Sequence, residues 1–492
     1  MTVALTRASL AGLGPPLGVP AYDPGALRGG IVHFGVGNFH RAHQAVYLDD
    51  LFATGRDLDW ALVGAGVRAP DAALRDDLAR QDWLTTVVAQ EAEGATARVT
   101  AAMVDYLPVG DAAAIVARLA DPAIRIVSLT ITEGGYCIDP ATQRFDPTHP
   151  EIVADARTPE APVTVFGLIL AGLRQRRAAG LAPFTVMSCD NIPGNGAVTR
   201  NAVAGLAELH DHRLADWVRG HVAFPNGMVD RITPATTARE RALIEERYGL
   251  TDRRPVFCEG FRQWVLEDSF PAGRPALEMV GVEFVPDVAP FEHMKIRILN
   301  GGHAAIAYPA ALLDIGFAHE AMAQPLIRAY LDKLEHDEIL PVVPPVPHTD
   351  LAAYAALVAR RIANPAIGDT IARLCLDGAN RQPKFILPTA ADRLARGLGV
   401  TGLALASAFW ARYCYGTTES GRAIAPNDAR WPHLTETARR ARTDPAAWLA
   451  MTDIFGDLGR HPAYAKAFVT ALDSIWTTGT AATLDAYLGN RL

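Results

Sequence analysis

Between Ile31 and Val285 short apolar stretches alternate with segments of helical period, and from Phe291 to the C-terminus the helical period stands alone. Alternation of strand and helix implies a parallel sheet covered on both faces, and helices alone after it imply a second body with its own core. The expected fold class is therefore α/β. A domain with a mostly parallel sheet spans 1–287, including a Pro/Gly-rich N-terminal arm, and a mainly α-helical domain spans 288–492. A chain of 492 residues is long enough to bury both cores.

The first strand names a chemistry. Ile31–Phe34 runs directly into Gly-Val-Gly-Asn-Phe-His-Arg-Ala-His at 35–43, and a helical pattern follows to about Ala53. Strand, G-x-G and helix open a dinucleotide-binding unit of Rossmann type. Gly35 permits the tight turn and Gly37 lets the backbone approach a pyrophosphate. His40 stands where the fingerprint usually has a third small residue, and a plain β-to-α turn is the alternative reading. Asn38, Phe39, His40 and Arg41 extend the candidate cofactor-binding turn. The second strand, Trp60–Gly64, is followed by Arg68 and Asp71. A carboxylate there can hold the adenosine ribose and select NAD, whereas Arg can accept the extra phosphate of NADP. Asp71 lies further along than the usual ~20-residue spacing, so a helix-start role competes. Later strands, Ile124–Ile131 and Phe184–Met187, end in Thr-Glu133-Gly-Gly and Ser-Cys-Asp-Asn191. Carboxyl ends of parallel strands are where ligands gather, which makes Glu133 and Asn191 candidates beside their plain reading as turn residues. Phe224–Pro234 reads as a turn segment whose Asp230-Arg231 pair is either a structural ion pair or a pocket lining.

The second body opens on Phe-Glu-His-Met-Lys-Ile-Arg-Ile-Leu-Asn-Gly-Gly-His at 291–303. At about 100° per residue, Lys295, Asn300 and His303 project from one side of a helix, roughly 140° and 80° from the lysine for the last two. The Gly301-Gly302 pair costs about 1 kcal/mol per residue in a helix interior, so either something approaches closely there or the helix ends at Asn300. The apolar run after His303 favours continuation, and Pro309 is expected to kink it.

A net charge of −8 gives no electrostatic case for nucleic acid or an anionic membrane as partner. Five scattered cysteines without a C-x-x-C pair fit a reducing compartment, and with no apolar leader or spanning stretch the expected location is cytoplasmic. No H-E-x-x-H, P-loop or G-x-S-x-G elbow is present, so neither a metal site nor those chemistries is expected. A cofactor turn beside Lys, Asn and His fits oxidation of a secondary alcohol. Lys295 would take the hydroxyl proton once burial lowers its pKa from about 10.4. Asn191 and Asn300 would stabilise the developing alkoxide, and His303 would orient a neighbouring hydroxyl, unless it is simply a packed histidine.

These motifs, G-V-G-N-F-H-R-A-H-Q at 35–44, S-L-T-I-T-E-G-G-Y at 128–136, S-C-D-N at 188–191, F-P-N-G-M-V-D-R-I-T-P at 224–234 and M-K-I-R-I-L-N-G-G-H at 294–303, resemble the polyol-specific long-chain dehydrogenases/reductases over nearly the full length. The resemblance is strongest to the branch acting on mannitol. It implies a zinc-independent enzyme with Lys295 as general acid/base, Asn191 with Asn300 as the alkoxide-stabilising pair, and Glu292 gating proton exchange with solvent. It implies substrate contacts from His303, Asp230 and Arg373, and from Arg381 where Lys is the expected residue. It also assigns the NAD determinant to Asp71, leaving NADP second. The expected activity is interconversion of D-mannitol and D-fructose with NAD, with arabinitol or sorbitol as further substrates. A fructuronate or tagaturonate reductase is the alternative, with Arg373, Arg381 and Lys384 available for a carboxylate; a non-catalytic dinucleotide sensor is a more distant one. A monomer or small homo-oligomer is expected.

Overall fold

The computed structural model describes residues 2–139 and 144–492. The chain divides into two compact units, Met1–Ala289 and Pro290–Leu492.

The first unit is built on a five-stranded sheet in the spatial order Met103–Tyr106, Ala61–Ala65, Gly29–Phe34, Ile126–Leu129, Thr185–Ser188, every neighbouring pair parallel. Numbered along the chain, that order is 3-2-1-4-5, the Rossmann order. Parallel strands bury both faces, so their sequences are mostly apolar and show no clean alternation. Val32, Phe34, Val63, Val127 and Leu129 meet Ile115, Leu119, Phe166 and Val203 on one side. Ile31, Leu62, Ile126 and Met187 meet Leu48, Leu51 and Phe52 on the other. The strand order reverses between Gly29–Phe34 and Ile126–Leu129, and the residues leaving their carboxyl ends are Gly35 and Thr130.

A four-stranded sheet, Val256–Glu259, Thr85–Glu91, Gly94–Thr100 and Leu17–Gly18, packs within the same unit, as does a three-stranded one of Gly227–Asp230, Gln263–Glu267 and Glu283–Val285. The N-terminal arm is tied down by main-chain pairing: Leu17–Gly18 joins Ala97–Arg98, and Val3–Ala4 joins Leu250–Thr251. Gly227–Asp230 corrects the turn expected across 224–234. All four residues are buried, so no alternation marks the strand, and Pro-Asn-Gly just before it carries the turn signal.

The helix expected after Gly37 is likewise broken into Asn38–Ala42 and Gln44–Ala53. The Arg231 guanidinium takes the carbonyl of Ala42, and Val46 N–H bonds His43 O instead of continuing the α ladder. His43 is held in the break by Gln263 O, 2.9 Å from its Nε2.

In the second unit the helix Thr401–Cys414 is buried from Gly402 to Cys414, as suits a central helix. It packs against Pro462–Thr478 and against Gly301–Leu312. Pro325–Leu334 reaches the central helix through Tyr330, whose hydroxyl donates to Gly402 O at 3.1 Å, and Leu351–Ile362 packs on Ala318–Ala323. Glu338 accepts from Gly402 N at 2.6 Å and Leu403 N at 3.0 Å, satisfying the first amides of the central helix. Among the described residues no helix is long and apolar enough to cross a membrane.

Candidate active site

A cleft of about 380 Å³ opens where the central sheet reverses. Gly35, Gly37, Asn38, Arg41, Asp71 and Thr130 line it, with Arg241, Arg253 and Arg254 supplying positive charge. Gly35 has φ +88°, and a Cβ there would stand 2.1 Å from Thr130 O, so only glycine permits this turn. Asn38 is fixed by Pro234 O at 3.3 Å and Thr236 Oγ1 at 3.2 Å, while its Oδ1 accepts from Arg41 at 2.8 Å. Arg41 also donates to Gly37 O at 3.3 Å and to Arg254 O, and burial pulls its pKa down to about 10.

Asp71 takes the helix-start role and also lines the cleft. Its Oδ2 accepts from Val67 N at 3.1 Å and Arg68 N at 3.0 Å at the start of helix Ala69–Ala79, as a third-position cap rather than the N-cap itself. Its Oδ1 makes no hydrogen bond among the described residues, and the residue lies in the cleft wall. Phe39, His40 and Glu133 do not line this cleft. The His40 ring is buried at 1 % exposure and stacks on His33 at 3.5 Å, filling the space that a third small residue would leave. Phe39 stacks on His43 at 4.9 Å, and Glu133 is exposed at the start of the turn Glu133–Tyr136.

Asn191 is positioned by a residue the sequence reading passed over. The Asp190 carboxylate accepts from Ile131 N and Thr132 N, both at 2.9 Å, and from Tyr136 Oη at 2.8 Å. It thereby ties the loop after the fourth strand of the central sheet to the end of the fifth. Its only sequence signal was a carboxylate between Cys189 and Asn191 at a strand end, beside a more conspicuous Asn. Asp230, 5 % exposed, ends its strand. The guanidinium of the neighbouring Arg231 donates to the carbonyls of Glu259 and Ala42.

In the second unit, the 291–303 stretch is helical throughout but not α-helical throughout. Ala289–Lys295 is followed by a π-helical turn, Ile296–Asn300, and then by helix Gly301–Leu312. Gly301 N–H bonds Ile296 O, five residues back. The wider turn changes the expected projection: residues five apart lie about one turn apart, so Asn300 comes over Lys295 more directly than α spacing allows. The helix continues through both glycines and past Pro309, so the Gly pair is not a cap. Close approach explains it instead. A Cβ on Gly301 would meet Phe385 O at 3.3 Å, and one on Gly302 would meet Glu335 Oε1 at 3.2 Å.

Lys295 is 6 % exposed and His303 8 %. His303 is neutral near pH 7: burial pushes it down to about 4, Asp369 opposes that, and Arg373, Arg361 and Arg381 add to it. His303 Nε2 and Asn300 Oδ1 are buried polar atoms with no hydrogen-bond partner among the described residues. Arg373 is committed to Asp369 through two hydrogen bonds, and Arg381 donates to Leu374 O. Glu292 is half-buried in the turn before Lys295. Among the described residues, no group of three or more His, Cys, Asp or Glu side chains could hold a metal ion.

Sheet order, glycine turn and cleft at the strand reversal define the first unit as a Rossmann domain. The family model for the mannitol dehydrogenase Rossmann domain matches residues 29–279, and that for the mannitol dehydrogenase C-terminal domain matches 287–476. The chain belongs to the mannitol dehydrogenase family. A mannitol 2-dehydrogenase of Cereibacter sphaeroides is 61 % identical over 95 % of this chain and 98 % of its own. One of Aspergillus fumigatus is 39 % identical over 96 % of this chain and 95 % of its own. Among solved structures, the Pseudomonas fluorescens mannitol 2-dehydrogenase ternary complex with NAD and D-mannitol is similar at 43 % identity and a TM-score of 0.89, covering 99 % of this chain and 100 % of that one. A substrate-free D-sorbitol dehydrogenase is 34 % identical with the same TM-score of 0.89, covering 98 % of this chain and 100 % of its own.

Proposed function

We propose that this chain is an NAD-dependent polyol dehydrogenase that oxidises D-mannitol at C2 to D-fructose and catalyses the reverse reduction. The observation that carries the reading is the Lys295–His303 stretch. A buried amine shares it with two buried polar atoms, on Asn300 and His303, that lack any protein partner. Orphaned buried polar groups are costly, and a hydroxyl-rich ligand would satisfy both. The cleft fits the cofactor: a pyrophosphate suits the glycine turn and arginines, and a ribose hydroxyl suits the open Asp71 oxygen. NAD supplies the hydride acceptor.

In this reading Lys295 takes the hydroxyl proton as the C2 hydride departs, which leaves the carbonyl of the ketose. Asn191 and Asn300 hold the oxygen as negative charge builds on it. His303, neutral, and Asp230 orient the neighbouring hydroxyls, with Arg373 and Arg381 at the edge of the substrate. Glu292 passes the proton between Lys295 and solvent. Residues 1–287 carry the cofactor and 288–492 the base. A uronate reductase has less support, since a relative 61 % identical over 95 % of the chain is a mannitol 2-dehydrogenase and both arginines already have partners. A sensor would have no use for a buried base.

A panel of mannitol, sorbitol, arabinitol, mannonate and altronate, each with NAD and NADP, tests the assignment. Mannitol with NAD is expected to give the highest kcat/KM; a higher value for either aldonate would replace it.

A further inference from the structure

A hydrogen-bonded chain runs through the core of the first unit to the cofactor turn, and the mechanism above does not use it. His33 lies on the first strand of the central sheet, directly opposite Ser128 in register. Its Nδ1 is 2.8 Å from Ser128 Oγ, and its Nε2 is 2.9 Å from Thr130 Oγ1. Thr130 Oγ1 is 2.6 Å from Gly35 O, and at the far end Ser128 Oγ is 3.1 Å from the Gln44 side-chain amide. His33 and Ser128 are 0 % exposed and Gln44 is 2 %.

Proton counting gives this chain a direction. Gly35 O can only accept, so the single Thr130 hydroxyl proton goes to it. His33 Nε2 must then carry a proton to offer Thr130, and in a neutral imidazole that leaves Nδ1 bare. Burial keeps the ring neutral, pushing its pKa down to about 3. Ser128 donates to Nδ1, and Gln44 therefore turns an N–H toward Ser128. The opposite amide orientation, with Ser128 donating to Gln44 Oε1, obliges Nδ1 to donate to Ser128 and sets a bare Nε2 2.9 Å from the Thr130 oxygen and 3.4 Å from Gly35 O, with no proton between them. His40, stacked on His33 at 3.5 Å, closes one face of the ring. The result falls on Gly35, whose carbonyl is held by Thr130 and by Gly37 N–H at 2.6 Å. Its lone pairs are thus engaged in a turn that has to receive a phosphate.

We propose that His33 is a positioning residue for the dinucleotide: as the neutral Nε2–H tautomer it orients the Thr130 hydroxyl, locks the Gly35 carbonyl and so sets cofactor affinity without touching the cofactor. The inference rests on the cofactor reading given above.

The test measures NADH dissociation constants, KM for NAD and mannitol, and kcat in the full chain. His33→Leu is expected to weaken NADH and raise KM for NAD about tenfold, with KM for mannitol and saturated kcat within about twofold. His33→Gln, which restores an amide N–H near Nε2, is expected to recover most of the loss. Thr130→Val is expected to weaken NADH by a similar factor, and the double variant no further, because both remove one link of the same chain. Unchanged NADH affinity in His33→Leu, a Gln variant no better than Leu, or additive losses would each overturn the proposal. So would long-range ¹⁵N–¹H NMR of His33 showing the Nδ1–H tautomer. An unaltered chain that binds no NADH would remove the cofactor reading itself, and the relay with it.

Discussion

The two oxygens of Asp71 separate a structural duty from the proposed ribose contact. Oδ2 caps the helix start and Oδ1 is the oxygen proposed to meet the ribose, so Asp71→Ala is expected to do two measurable things. Losing the cap costs on the order of 1 kcal/mol of stability. Losing the open oxygen raises KM for NAD about tenfold while leaving KM for NADP within about twofold, read from initial rates with each cofactor. Equal effects on both cofactors would leave only the cap. For Asn300, whose side-chain N–H is the proposed donor to the alkoxide, replacement by Ala is expected to lower kcat roughly 100- to 1,000-fold, the loss typical of one alkoxide-stabilising group. A fall of less than about threefold would remove it from that role. Residues of this kind were legible because chemistry and spacing coincide locally: Lys295, Asn300 and His303 sit within nine positions of one another. His33 and Asp190 were not. Their partners, Ser128 and Thr130 for one and Ile131 and Thr132 for the other, lie far away in sequence and only the sheet brings them together.

At the level of elements, helical periodicity located the 291–303 helix but could not foresee its π turn. A π turn differs from an α turn by one hydrogen-bond register, while the apolar pattern around it is unchanged. The helix broken at His43 was hidden for a different reason, since the group that takes the Ala42 carbonyl is Arg231, from another part of the chain. A second π turn, Glu335–Ile339, brings the Glu335 carboxyl against Gly302, and its Oε1 has no partner. Burial, reinforced by Asp332 and eased by Arg328, pushes Glu335 up to about 8. The folded chain therefore holds a proton there that the unfolded chain releases above about 4.5, and this contribution to stability falls as pH rises between those values. Its limit is roughly 1.4 kcal/mol per pH unit. Glu335→Gln removes the titration, so the variant's thermal midpoint is expected to rise relative to the unaltered chain as the pH goes from 5 to 8. A difference that stays constant over that range would mean Glu335 is ionised in the folded chain.

Across the whole molecule, the change from alternating strands and helices to helices alone gave the fold class without reference to any partner. The sheet order was not legible in the same way. The Rossmann order depends on which strands pair, and short strands buried on both faces carry no alternation to set their register. The three-stranded sheet was missed at Gly227–Asp230 because a four-residue strand buried on both sides has no period to read.

The central claim is that the buried Lys295 amine is the base, and the most direct test compares Lys295→Ala with the unaltered chain in two assays on the same preparation. NADH binding, followed by fluorescence titration, is expected to stay within about threefold, while mannitol turnover at neutral pH falls by at least about 100-fold, as loss of a general base requires. Turnover within a few-fold of the unaltered chain, with NADH binding intact, would contradict the account.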